Sequence, residues 1–290
     1  MIYRRWALAA LAVAGTLAIG AAAAEDGVAP SLARAGGEFE LGKRVYERYC
    51  VGCHGAKGDG QGEAARFLDP KPRDFTRGLF KFVSVEAGKM PRDDDLLKTI
   101  TRGLRGTSMP SFRFVPEEER RAVIRYLKTF SSRWENPPGA IIARSRDPYD
   151  ASLDDPKPVG EAIAKGRELY HSIGCAGCHP SYLETAEYEK VTGKKPRKDA
   201  ERPILTEDSW GNWIAPPDFT RRTTRTSFGV DEIYTTITAG IGGAAMPTMA
   251  NVPEEQRWQI AYYVRSLIEK RGSVVGPPPA PVDQRADQEK

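Results

Sequence analysis

Two short stretches of the chain set three reactive side chains in the same register: Cys50-Val51-Gly52-Cys53-His54 and Cys175-Ala176-Gly177-Cys178-His179. Between them they use all four cysteines of the sequence. Two thiols three residues apart on a helical turn project to one side, where they can add to the two vinyl groups of one porphyrin. The histidine that follows at once then reaches the iron from beneath, and an axial histidine is the usual proximal ligand. Cys-x-x-Cys-His is the attachment signature of covalent heme. A structural zinc site would need its Cys pairs roughly 15–20 residues apart, whereas more than a hundred separate these. A thioredoxin-like pair would need a βαβ setting, and the sequence shows none. The chemistry these residues support is the attachment of two hemes c through Cys50, Cys53, Cys175 and Cys178, with His54 and His179 on the irons.

The elements that position these residues recur as well. Gly42 to Tyr46 precedes the first motif and Gly166 to Tyr170 the second. Asp74-Phe75-Thr76-Arg77 returns as Asp218-Phe219-Thr220-Arg221. Met109-Pro110 and Val115-Pro116 return 137 residues later as Met246-Pro247 and Val252-Pro253. The order of features is the same, so the chain is a duplication. Each copy predicts a helix into the Cys motif (from Phe39, and from near Gly160), then a long loop. A second helix follows over Asp94–Leu104 or Asp231–Ala239, and a last one begins at Pro116 or Pro253. Proline is tolerated at the first helical position, where its missing N–H would be unpaired anyway. Glu117, Glu118 and Glu119 suit the positive end of that helix dipole and Arg125 and Lys128 the other. Val123, Ile124, Leu127 and Phe130, and Ile260, Ala261, Val264 and Leu267 in the second copy, give each last helix one apolar face.

Gly42, Tyr46, Cys50–His54, Met109-Pro110 and Tyr126 resemble class I cytochrome c. So do Gly166, Tyr170, Cys175–His179, Met246-Pro247 and Tyr263, and the resemblance covers residues 36–133 and 159–271. It implies a mainly α fold of two tandem class I cytochrome c domains, each a few helices wrapped around one covalently bound heme. It also implies that the first and last helices of each domain meet closely at the glycine and the aromatics. A loop proline beyond the histidine would offer its carbonyl to the second imidazole nitrogen, and Pro70 or Pro72, and Pro216 or Pro217, are the candidates. Such a bond fixes the ring and tunes the iron.

The sixth ligand comes from what remains. The sequence has three histidines, and His54 and His179 are taken as proximal ligands, so two bis-His hemes are excluded. Met109 and Met246 are repeat-equivalent, lie 55 and 67 residues after their histidines, and each precedes proline. They are the expected distal ligands, giving His54/Met109 and His179/Met246 pairs. Met90 and Met249 read as packing. His171 matches Glu47 of the first copy and reads as a surface or capping residue. Trp210 and Trp213 read either as cover for the second heme edge or as loop anchors.

Met1–Arg5 is a short basic region, Trp6–Ile19 is apolar, and Ala22-Ala23-Ala24 precedes Glu25, so residues 1–24 read as a signal peptide cleaved on export to the periplasm. If the segment is not cleaved, it is long enough to hold the protein at the membrane. The net charge is +4, and the loss of Arg4 and Arg5 lowers it to +2. That is no concentrated basic face, and a nucleic-acid partner is not expected. Residues 134–158, rich in proline turns, read as a linker that Trp134, Ile141 and Ile142 pack on one domain. Residues 272–290, with Pro277-Pro278-Pro279, read as a disordered tail.

The expected function is one-electron transfer between periplasmic or membrane-bound redox proteins. A His/Met pair raises the potential and fills the iron's coordination sphere. One alternative is a diheme enzyme, such as a peroxidase or thiosulfate dehydrogenase, which needs an open or unusually ligated iron. Another is a fixed electron-transfer subunit of a larger oxidoreductase. The copies differ most between the histidine and Asp-Phe-Thr, 20 residues in the first and 39 in the second. The insertion, Ser181–Pro217, carries Lys194, Lys195 and Lys198 and reads as a solvated loop or as a docking element for an acidic partner.

Overall fold

In the computed structural model, the structure describes residues 29–180, 182–222, 224–226, 229–270 and 280–283. The proposed signal peptide lies outside them, as does most of the expected tail. Residues 38–290 cluster as one compact unit.

Helices dominate, as the repeat requires. The first half contains α1 (Ala29–Tyr49), α2 (Val51–His54), α3 (Asp93–Arg102) and α4 (Glu117–Lys128). The second half repeats them as α5 (Val159–Ser172), α6 (Cys175–Cys178), α8 (Val230–Ala239) and α9 (Glu254–Glu269). The insertion contributes α7 (Thr185–Thr192) and a two-stranded antiparallel ribbon, β1 (Thr206–Glu207) and β2 (Trp213–Ile214). Neither was legible in its sequence. Pro116 and Pro253 stand at the N-cap, one position before the place expected, with the φ near −50° that the ring enforces.

Each half has its own core. In the first, Val45 and Tyr46 of α1 pack with Leu96 of α3 and Val123, Ile124 and Leu127 of α4. In the second, Leu169 and Tyr170 of α5 pack with Ile233, Tyr234 and Ile237 of α8 and Ile260, Ala261 and Val264 of α9. Gly42 is where α1 meets α4: a Cβ there would lie 2.2 Å from the Ala122 carbonyl oxygen. Gly166 does the same on α9, 2.0 Å from the Gln259 carbonyl oxygen. Aromatics line both contacts, with Tyr46 and Tyr126 at 5.4 Å and Tyr170 and Tyr263 at 5.3 Å between ring centroids.

The 134–158 segment packs more than expected. Trp134 lies 5.6 Å from Phe80, Ile141 pairs with Val85, and the Ile142 N–H donates to the Ser84 carbonyl, all in the first half. The segment then crosses to α9. There Ser145 accepts from Trp258 Nε1 at 3.1 Å, Asp147 accepts from the Tyr262 hydroxyl at 2.9 Å, and Tyr149 is buried in the second core. Within residues 272–290, the described stretch 280–283 is tied to the insertion. The Val282 N–H donates to the Pro203 carbonyl, and Arg202 donates to the carbonyls of Ala280 and Pro281.

The two halves meet along a polar seam. Lys81 Nζ lies 2.7 Å from Asp208 Oδ2, the Arg73 guanidinium sits 3.7 Å above the Trp210 ring, and Arg102 pairs with Glu232 at 2.8 Å. Desolvation draws the Lys81 ammonium below its ordinary value, with Asp208 working against it. Desolvation also pulls Arg73 down, to about 10. Asp208 resists its own desolvation through Lys81 and the N–H groups of Asn212 and Trp210, and its carboxyl stays below the usual range. Asp208→Asn leaves these cations uncompensated, and removing one partner of a buried pair costs on the order of 3 kcal/mol. Cleavage of the 134–158 segment by a protease should then rise by about a hundredfold, because cleavage tracks the open population. An unchanged rate would mean that the seam does not hold the halves together.

Candidate functional site

Each Cys motif forms one helical turn. The His54 N–H donates to the Cys50 carbonyl and the His179 N–H to the Cys175 carbonyl, both at 2.9 Å. All four thiols are free. Desolvation, with a smaller effect from Cys53, pushes Cys50 up to about 12, and desolvation likewise carries Cys175 to about 11. Both are therefore neutral thiols. Cys50 borders the first core, and Cys175 borders the second together with Met246.

The histidines are held identically. His54 Nδ1 hydrogen-bonds the Arg73 carbonyl and His179 Nδ1 the Pro217 carbonyl, each at 2.9 Å. Pro217 is one of the two prolines expected. Pro70 and Pro72 are not used, which corrects that expectation. A carbonyl is available from any residue, and in both halves the one used belongs to the residue just before Asp-Phe-Thr. The repeated phenylalanine stacks on the imidazole, Phe75 on His54 at 4.5 Å and Phe219 on His179 at 4.8 Å, with 20° between the planes in each. The repeated aspartate fixes the turn, since Asp74 and Asp218 each accept from the backbone N–H and the hydroxyl of the threonine two residues on. The sequence shows this duplication, but only the structure gives it a role. Desolvation draws both imidazoles below their ordinary value, so each stays neutral with Nε2 as an available lone pair.

The methionine loops are built alike. Gly103 ends α3 at φ 68° and Gly240 ends α8 at φ 74°, a region that glycine enters without strain. The Leu104 N–H then donates to the Met109 carbonyl at 3.1 Å and the Ile241 N–H to the Met246 carbonyl at 3.0 Å. A buried arginine braces each loop from below. Arg120 donates to the Val115 carbonyl at 2.9 Å and to the Thr101 hydroxyl, and Arg257 Nη1 donates to the Thr238 hydroxyl at 2.8 Å. The arginines are 137 residues apart, the same offset as the methionines, and that spacing was the signal that could have found them. Met109 and Met246 are half-buried, whereas Met90 is buried.

His171 is buried, which corrects its reading as a surface residue. It is 4% exposed and takes part in a hydrogen bond through Nδ1 with the Arg167 carbonyl, 2.7 Å away, one turn back. Helix α7 covers this face, with Tyr188 edge-on to the imidazole at 5.7 Å, while Glu47 in the first half has no such insertion over it and stays exposed. Trp210 belongs to the seam, under Arg73 and Lys81 and against Gly243. In the insertion, Lys194, Lys195 and Lys198 are exposed, while Arg197 and Arg202 are spent on backbone carbonyls.

These residues fit heme c: paired free thiols on one turn, a neutral imidazole oriented through Nδ1, and a braced methionine loop. Among the described residues, Trp134 Nε1 in the first half and the Tyr170 and Tyr234 hydroxyls in the second are buried without a hydrogen-bond partner.

The family model described as cytochrome c oxidase, cbb3-type, subunit III, matches residues 37–127 and again 161–264. Among solved structures, a chain of the Kuenenia stuttgartiensis reducing HAO-like protein complex is similar at 31% identity and a TM-score of 0.64, over 79% of this chain and 96% of that one. No curated protein matches the sequence.

Proposed function

The chain belongs to the cytochrome c family described as cytochrome c oxidase, cbb3-type, subunit III, and on that premise we propose that it is a periplasmic diheme electron carrier with one His/Met-ligated heme c in each half. Covalent heme c and an electron-transfer role come with the family; the count of two, the ligands and the compartment are the proposal. The observation that carries it is the doubled cradle: in each half a Cys-x-x-Cys turn, a histidine tied through Nδ1 and stacked on phenylalanine, and a methionine loop braced by arginine.

Heme c, when bound, supplies a one-electron Fe(II)/Fe(III) couple. The chain's residues do the rest. Cys50 and Cys53, with Cys175 and Cys178, fix each group's position. The carbonyls of Arg73 and Pro217 hold the imidazoles in one tautomer and orientation. Met109 and Met246 would hold the iron as sixth ligands, which would leave no open position for substrate. No helix among the described residues is long and apolar enough to cross a membrane, and export is attributed to residues 1–24.

The likeness to a chain of a redox complex favours a second reading, in which the two hemes are a fixed wire within a larger assembly. The chain's own chemistry is the same in both readings.

The test is a heme count. Protein matured with its export and heme-attachment machinery and recovered from the periplasm should carry two covalent hemes per chain. Cys50→Ser with Cys53→Ser should leave one, in the second half. The first half, which loses the centre of its core, should become protease-sensitive. A folded, protease-resistant first half without heme would refute this reading of the site.

A further inference from the structure

The two methionine loops share a backbone but not a surface. Residues 102–114 carry Arg102, Arg105, Phe112, Arg113 and Phe114 and no acid, whereas the matching residues 239–251 carry no charge and no aromatic ring. The structure puts the two loops to different uses. The second is closed over by its neighbours. The Ala87 N–H donates to the Ala239 carbonyl and the Ser209 N–H to the Gly243 carbonyl, both at 2.9 Å. A Cβ on Gly242 would stand 2.6 Å from the Phe80 carbonyl oxygen, and one on Gly243 would stand 2.4 Å from the Trp210 ring. Its small residues are what this seam requires.

The first loop turns an aromatic cluster outward. Tyr49 lies 6.2 Å from Phe112 and 5.8 Å from Phe114, and the two phenylalanines are 6.0 Å apart. Phe114 is 68% exposed. Tyr49 adjoins Cys50 and Phe112 follows Met109 by three residues, so the cluster bridges the attachment site and the distal loop of the first half. Arginines stand beside it and along the same loop. The Arg48 guanidinium lies 5.1 Å over the Tyr49 ring, and a hollow of about 440 Å³ beside the loop is lined by Arg102, Arg105, Ser111 and Arg113. Arg102 also pairs with Glu232, and Arg48, Arg105 and Arg113 are exposed. Exposed aromatics with arginine nearby are the composition of interface hot spots, and the excess of positive charge on this loop favours an acidic partner.

We propose that this face, Tyr49, Phe112 and Phe114 together with Arg48, Arg105 and Arg113, is the port at which an acidic one-electron redox protein docks. It rests on the electron-transfer reading. The docked donor is oxidised by one electron and the first-half iron goes from Fe(III) to Fe(II), with no bond made or broken. On this proposal the exposed lysines of the insertion, Lys194, Lys195 and Lys198, lie outside the port.

The test uses the full holoprotein and flavodoxin, an acidic one-electron donor, as the probe. Affinity is measured by calorimetry with both proteins oxidised, and the rate of reduction by stopped flow with flavodoxin hydroquinone. Arg105→Glu with Arg113→Glu should weaken binding and slow reduction about tenfold at low ionic strength, and the deficit should shrink as salt rises. Phe114→Ala should weaken binding at every salt concentration. Both midpoint potentials should be unchanged, and Lys194→Glu with Lys195→Glu and Lys198→Glu should behave as the wild type. Wild-type binding in the arginine variant, or a larger loss in the lysine variant, overturns the port. Failure of the electron-transfer reading shows itself separately, as a wild type whose hemes do not titrate reversibly by one electron each.

Discussion

Met109→Ala is expected to remove about half of the far-red Met–Fe(III) charge-transfer band and to lower one midpoint potential, leaving the other half of the molecule intact. Met246→Ala should remove the other half of the band. Axial ligands set heme potentials over roughly 0.8 V, so loss of a thioether should move the affected couple by a sizeable part of that range, well beyond what a surface charge does. The loops that carry the two methionines support the symmetry of the result, since each begins at a positive-φ glycine and each is braced by a buried arginine. The core of each half is separate, which is why the unaltered half should keep its fold and its spectrum. The wild-type spectrum decides between the carrier and the enzyme. Two low-spin hemes fit a carrier with both irons closed, whereas a high-spin heme would mark an open iron and favour a diheme enzyme.

The parts of this site that the sequence makes legible are those in which one residue type does the chemistry. Thiols and imidazoles in a fixed local spacing announce attachment, and duplication separates Met109 and Met246 from Met90 and Met249. The parts that were not legible depend on backbone or on distance. The carbonyl that holds His54 belongs to Arg73, and a carbonyl leaves no mark in a sequence; what recurs is its position before Asp-Phe-Thr. Phe75 and Phe219 were visible as a repeat, but stacking on the imidazole is a contact between residues 21 and 40 positions away from their histidines. The burial of His171 requires α7, which belongs to an insertion that the first half lacks. The seam is the furthest from local reading, since Lys81 and Asp208 meet across 127 residues. Helix positions were recovered to within a residue or two at α3, α4, α8 and α9, and at α4 and α9 apolar spacing and a proline start agree.

Gly166→Ala is expected to cost the second half its fold, although helix propensity alone predicts the opposite. Alanine is worth about 1 kcal/mol over glycine inside a helix, and Gly166 lies well inside α5. Against that gain, the new Cβ would stand 2.0 Å from the Gln259 carbonyl oxygen and 2.5 Å from its carbon, both backbone atoms of α9, with the Tyr263 Cβ at 2.9 Å. Backbone within a helix cannot swing aside as a side-chain tip can, so α5 and α9 must move apart, and with them the Tyr170–Tyr263 contact at 5.3 Å. Ordinary overpacking costs about 1–3 kcal/mol. A contact this far inside van der Waals distance should exceed that range and outweigh the propensity gain. It would consume much of the roughly 5–15 kcal/mol that holds a domain together. Gly42→Ala in α1 should act in the same way on the first half, where the Ala122 carbonyl oxygen lies 2.2 Å away. Gly160→Ala is the internal control. It lies in the same helix as Gly166 with nothing within 4 Å of its Cβ, so it should leave stability unchanged or raise it by up to about 1 kcal/mol. Thermal melts and the yield of covalent heme per chain separate the outcomes. Gly166→Ala should lose the second heme or melt far below the wild type, and Gly160→Ala should match it. If Gly166→Ala instead tracks Gly160→Ala, helix propensity outweighs the contact and the close approach of α5 to α9 is not what holds the second half together.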